Sequence, residues 1–122
     1  IQALTGHKVE TETEVIKEVQ NFLQAGIGLA VVSLGAKGSI AGIAGHIYRV
    51  EVPRIECKNP VGSGDSYVAG IAVGIARNLN TEDILKLGAA CGTANAMEEE
   101  SGFVRREMVE ALLPKIKITQ IA

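Results

Sequence analysis

An α/β fold is predicted by an amphipathic helix, a uniformly apolar strand and a glycine-rich loop that follow one another early in the chain. A second glycine-rich segment then opens a later helix. In residues 11–25, Val15, Val19, Phe22 and Leu23 recur at helical spacing, and Glu12 and Glu14 suit the positive end of a helix dipole. Thr11 or Thr13 supplies a capping oxygen. Gly26 is placed to end the helix in the left-handed conformation. Residues 27–34 are almost all apolar and run into Ser33-Leu34-Gly35. A short uniform run after a helix reads as a strand covered on both faces, as in a parallel sheet. Helix, covered strand and loop in that order are the signature of an α/β arrangement.

The remaining elements extend this reading. In 39–53 the apolar residues Ile40, Ile43, Ile47, Tyr48, Val50 and Val52 are interrupted by Gly42 and Gly45, which predicts a hairpin turning near Ala44-Gly45. Residues 54–58 are expected to add one more short strand. Residues 66–77 form an apolar helix in which Gly70 and Gly74 permit close packing. Thr81 is the expected cap of the next helix, with Glu82 and Asp83 in its first turn. That helix should run to about residue 100, where Ser101-Gly102 breaks it. A short helix over 105–113 ends at Pro114, and 116–121 alternates like a terminal edge strand.

With 122 residues the chain reads as one domain, since domains commonly have about 100–150. Hydrophobic residues make up 47% but aromatics only 3%, so the core must be aliphatic. Twelve basic against fourteen acidic side chains leave a formal charge of −2 and no basic patch, which argues against nucleic acid as a partner. No apolar run reaches the ~18 residues of a membrane span, so no membrane partner is expected. Residues 1–8 show no basic or apolar leader, and a cytoplasmic protein is expected. Cys57 and Cys91 read as two small buried thiols. His7 and His46 lack metal-ligand spacing, and no metal-binding residue is assigned. Glu98-Glu99-Glu100 points three ways around a helix and reads as a solvated helix end.

The most informative segment is Asn59-Pro60-Val61-Gly62-Ser63-Gly64-Asp65-Ser66. At the start of a helix the first N–H groups lack intrahelical partners, and the dipole favours an anion. Glycines let a phosphate approach that backbone. A carboxylate at the same place repels phosphate and is of no use for simple anion binding. It makes sense as a base that takes a proton from an attacking hydroxyl, which points to phosphoryl transfer. The bland alternative is an ordinary turn with Asp65 as a helix cap. Two other phosphate loops are excluded: position 67 is Tyr, not the third glycine of a dinucleotide fingerprint, and no Gly-Lys dipeptide exists for a Walker A loop.

This segment, followed by Val68-Ala69-Gly70, resembles the second signature of the ribokinase/phosphofructokinase-B sugar kinases. Val31-Val32-Ser33-Leu34-Gly35-Ala36-Lys37-Gly38 resembles that family's strand and nucleotide loop, and the likeness runs from Leu4-Thr5-Gly6 to Ala122. The resemblance implies a ribokinase-like α/β/α sandwich, with a hairpin after the nucleotide loop, using ATP and Mg²⁺. It implies that Asp65 is the base and that the N–H groups of Gly62, Ser63 and Gly64 form an anion hole. Ser33, Gly35 and Gly38 would lie along the nucleotide, and Gly92 and Asn95 would line its base. For Asn95 the competing reading is a helix-surface amide, and for Lys37 a solvated loop lysine.

Asn-Pro-Val-Gly-Ser-Gly-Asp and the segment from Ala94 through Gly102 look most like the tagatose-6-phosphate kinase and 1-phosphofructokinase branch. A phosphorylated ketohexose is therefore the expected substrate, tagatose 6-phosphate ahead of fructose 1-phosphate. Family members are about twice this length. The resemblance thus implies that the chain is the C-terminal, nucleotide-side portion, missing an N-terminal half with its lid and Asn-x-x-Glu motif, and inactive alone. It leaves room for a homodimer of the full-length protein. Other classes weighed are a nucleotide-binding module without catalysis and a structural piece that needs its missing half.

Overall fold

The computed structural model describes residues 2–5, 12–33, 38–59, 61–99 and 104–121. They divide into two compact units, one formed by Ile1–Glu51 with Ile118–Ala122, the other by Val52–Lys117.

The first unit is a five-stranded sheet in the order β1 (Gln2–Thr5), β2 (Leu29–Ser33), β3 (Ser39–Ile43), β4 (His46–Glu51), β5 (Lys117–Gln120). Helix α1 (Glu12–Gln24) connects β1 to β2, and those two strands run parallel. β3 and β4 then fold back antiparallel, with Ala30 opposite Gly42 and Gly42 opposite Ile47. Val15 and Val19 of α1, four residues apart and thus on one helical face, pack with Ala30, Val32, Ile40 and Ile47. Ile16, Phe22 and Leu23 close the edge of that cluster. Val31, Ala41, Tyr48 and Val50, on the opposite sheet face, are also buried. The expectation of a strand covered on both faces therefore holds for β2, although its two neighbours differ in direction.

Glu12–Gln24 sets the helix start so that Thr13 lies inside it rather than capping it, and Thr11 lies outside the described residues. The helix ends as expected: Gly26 has φ +90°, with Gly26 N–H donating to Leu23 and Ile27 N–H to Phe22. At the hairpin, Ala44 and Gly45 both have positive φ, 54° and 80°. Two such residues between paired Ile43 and His46 make the tight turn whose twist matches the flanking strands.

The second unit is built on α2 (Ser63–Ala76) and α3 (Thr81–Ala96), followed by α4 (Arg106–Leu112) and a 3₁₀ turn, Leu113–Lys115, at Pro114. α2 and α3 pack antiparallel and close: a Cβ on Gly70 would sit 2.8 Å from the Gly88 Cα and the Leu87 carbonyl oxygen. Asn78, at φ 58°, closes α2, with Asn78 N–H donating to Ile75 and Leu79 N–H to Gly74.

Three expectations need correcting here. Residues 54–58 form no strand. Pro53 lacks an N–H, and the Lys58 and Asn59 N–H groups donate to the Ala96 carbonyl, at 2.7 and 3.1 Å, rather than to a ladder. The cap of α3 is Asn80, whose side-chain oxygen accepts from Asp83 N–H at 2.9 Å, and Thr81 is the first helical residue. α3 ends at Ala96, short of residue 100, because those same N–H groups from the incoming loop satisfy its last turn. Ser101 and Gly102 lie outside the described residues.

Candidate active site

Gly62 is the N-cap of α2 and adopts φ 85°, a left-handed conformation that glycine takes without steric cost. No side chain caps this helix end. An N-terminus normally recruits a Ser, Thr, Asp or Asn oxygen for its first N–H groups. Here Ser63, Gly64 and Asp65 form the first turn, and the first intrahelical bond runs from Ser66 N–H to the Gly62 carbonyl. The turn therefore presents donors that the helix itself does not use. The helix starts at Ser63, so the glycine loop expected to precede it is itself the first turn. Asp65 lies in this first turn, is exposed and is not the N-cap residue.

Two amides hold this turn in place. Asn59 accepts from Val61 N–H at 3.0 Å and donates through Nδ2 to the Glu99 carbonyl, also at 3.0 Å. Asn95, on α3, is fully buried and donates through Nδ2 to the Val61 carbonyl at 2.9 Å and to Ser63 Oγ at 3.2 Å. Asn95 is thus no helix-surface amide. Gly92, one turn earlier on the same face, lets α2 seat itself: a Cβ there would lie 3.0 Å from the Ser63 carbonyl oxygen. Gly92 and Asn95 are therefore brought together with Gly62, Ser63, Gly64 and Asp65, as the floor beneath the turn. The role of Asn59 was not singled out from sequence, although Asn-Pro marks a turn start and its side chain commonly bonds the backbone two residues on.

Ser33 and Gly38 belong to the sheet unit. Ser33 ends β2 opposite Ser39, and Gly38 leads into β3 with φ 103°, where a Cβ would run into the Val50 carbonyl. Gly35 and Lys37 lie outside the described residues. The two cysteines differ from expectation: Cys57 is exposed, on a segment that joins no strand, and Cys91 is half-buried between α2 and α3. Burial pushes the Cys91 thiol above its ordinary value of 9.0. Glu98 lies beyond the end of α3 and pairs with Arg105 Nε at 3.2 Å. Among the described residues no cluster of three or more His, Cys, Asp or Glu could hold a metal ion. Among the same residues no helix is long and apolar enough to cross a membrane.

A sequence profile of the pfkB family of carbohydrate kinases matches residues 1–106. Among solved structures, a candidate phosphofructokinase from Staphylococcus aureus superposes with a TM-score of 0.84 at 33% identity, over 93% of this chain and 36% of that one. Phosphofructokinase-2 from Escherichia coli, determined with potassium, superposes at 0.76 with 23% identity, over 88% of this chain and 35% of its own. A candidate 1-phosphofructokinase from Thermotoga maritima gives 0.76 at 20% identity, over 93% and 36%. The chain thus spans little more than a third of the length of these proteins, and its α/β fold is theirs over that span.

Proposed function

Because the chain belongs to the pfkB family of carbohydrate kinases, we propose that it supplies the nucleotide-side, phosphoryl-transferring portion of an ATP-dependent sugar-phosphate kinase, with Asp65 as general base. The observation that carries this reading is the start of α2: a left-handed glycine cap, no capping side chain, and an exposed carboxylate in the first turn. The N–H groups of Gly62, Ser63 and Gly64 hold the oxygens of the transferring phosphoryl group as charge builds there. Asp65 accepts the proton of the attacking sugar hydroxyl, a role that general bases fill for about 10²- to 10⁴-fold in rate. Mg²⁺, bound together with the nucleotide, would supply positive charge that offsets the negative charge of the phosphates. The donor set at α2 fits phosphate, whereas carboxylate ligands for the metal are not clustered among the described residues.

On the same reading Ser33, Gly35 and Gly38 lie along the nucleotide, and the protein works in the cytoplasm, with a homodimer of the full-length protein compatible with it. The substrate is a ketohexose phosphate, with tagatose 6-phosphate giving the 1,6-bisphosphate as the first choice. The support is the likeness of the Asn59–Asp65 segment and of the segment from Ala94 through Gly102 to that branch. Fructose 1-phosphate is the second reading, supported by the same segments. ADP release by the full-length protein, with tagatose 6-phosphate, fructose 1-phosphate and fructose 6-phosphate offered separately, decides among them. Turnover of the first supports the choice made here. Turnover of another sugar reassigns the substrate, and turnover of none returns the chain to a binding module.

A further inference from the structure

Asn95 is buried with no exposed surface, yet it lies on a helix of small residues where nothing apolar requires an amide. Its Nδ2 faces the Val61 carbonyl oxygen at 2.9 Å and Ser63 Oγ at 3.2 Å. A carbonyl oxygen can only accept, so the amide end facing it must be the NH₂ group. That NH₂ has no lone pair to offer, and Ser63 Oγ must therefore act as acceptor toward Asn95. The Ser63 hydroxyl hydrogen is forced away from Asn95. Among the described residues, the bond from Asn95 is the one hydrogen bond that this hydroxyl makes.

We infer that Asn95 is a positioning residue that fixes the Ser63 hydroxyl as a further donor to the transferred phosphoryl group, beside the backbone N–H groups of the first turn of α2. This rests on the phosphoryl-transfer reading of that turn. Ser63 is the first residue of α2, where the helix dipole already favours an anion. An O–H aimed at a phosphate oxygen makes a charge-assisted bond, stronger than a neutral one. Anchoring Val61 with the same NH₂ group ties the hydroxyl's direction to the loop that carries it. On this inference the Nδ2 of Asn95 is engaged by the loop, and the lining of the nucleotide base by Gly92 and Asn95 that the family resemblance implies is a separate reading.

Ser63→Ala removes the hydroxyl but leaves every backbone donor. In the full-length protein this variant should lower kcat on the order of ten- to a hundred-fold, by analogy with loss of one anion-hole donor, with KM for ATP changed much less. Calorimetry gives a readout independent of turnover. ADP with aluminium fluoride and magnesium, which mimics the transferring phosphoryl group, should bind Ser63→Ala more weakly by a similar factor, while ADP alone binds as to wild type. Asn95→Asp presents acceptors where Ser63 needs a donor. It should cost kcat heavily in the wild-type background; the part of that cost carried by Ser63 should vanish once Ser63→Ala is in place, while the part that comes from facing the Val61 carbonyl remains. Asn95→Ser, too short to bridge, takes its place in the cycle if Asn95→Asp does not fold. Ser63→Ala with wild-type kcat and wild-type aluminium fluoride binding overturns the inference, as does full additivity of the cycle. Asp65→Asn is run alongside: if it is inactive while Ser63→Ala is not impaired, this inference alone fails. If Asp65→Asn itself turns over normally, the reading of the site fails with it.

Discussion

Asn59 and Asn95 hold Val61 from two sides, one accepting from its N–H and the other donating to its carbonyl. Removing Asn95 leaves the part-buried Val61 carbonyl without its partner, at a cost of up to about 1–3 kcal/mol, whereas the Val61 N–H is exposed and water can take the place of Asn59. Neither role was legible in the sequence. An amide within Ala94-Asn95-Ala96 carries no sign of whether it faces solvent or a neighbouring loop, because its burial comes from segments 34 and 32 residues away. Asp65 was singled out from the sequence because its chemistry conflicts with its position: a carboxylate beside a glycine-rich helix start that suits anions needs a reason. The cysteines give a test at this scale. Cys57 is exposed and Cys91 is half-buried with its thiol pushed up by desolvation. At pH 8 a thiol reagent should modify Cys57 first and Cys91 markedly more slowly, since the thiolate is the reactive form. The sign for stability follows. The fold favours the protonated Cys91, a contribution complete below pH 9.0 and lost as pH rises through the raised value. Equal labelling rates for the two thiols would contradict this account of α2 against α3.

At the scale of elements, α1, β2 and the hairpin were readable because each is specified locally. Val15 and Val19 share a helical face, and Ala44-Gly45 falls where two left-handed residues are needed. The misplaced elements are those whose limits depend on distant partners. Residues 54–58 have a strand-like composition but their neighbouring N–H groups bind the end of α3, and the same bonds stop α3 at Ala96. The capping residue was displaced by one because Asn80 and Thr81 are both good caps, and Asn ranks ahead of Thr. The packing of α2 on α3 yields a prediction. Gly70→Ala gains about 1 kcal/mol of helix propensity, yet its methyl would lie 2.8 Å from backbone atoms of α3 that no rotamer change can move. Overpacking of this kind costs about 1–3 kcal/mol, and the helices must part to relieve it. The variant should be less stable than wild type in denaturant melts. A variant as stable as wild type, or more so, would mean that the helices are not in close contact at Gly70.

At the scale of the whole molecule, membership of the pfkB family and the ribokinase-like α/β fold rest on a match over residues 1–106 and on structures that agree over most of this chain. The chain covers 36% of the length of the Staphylococcus aureus protein. On the proposed reading, residues 1–122 carry the phosphate donors and the base but lack the N-terminal half that the family resemblance implies. Residues 1–122 expressed alone should therefore show no sugar-dependent ADP release under conditions where the full-length protein turns over. Full turnover by the 122-residue chain would contradict that reading.

The central claim is that the carboxylate of Asp65 removes the proton of the attacking hydroxyl, and its most direct test is kcat for Asp65→Asn in the full-length protein, with ATP and whichever of the three sugar phosphates it turns over both saturating. The account predicts a fall on the order of 10²- to 10⁴-fold with ATP affinity retained, since the amide keeps the shape but cannot take the proton. A variant that turns over at the wild-type rate would contradict it and remove Asp65 from the chemistry.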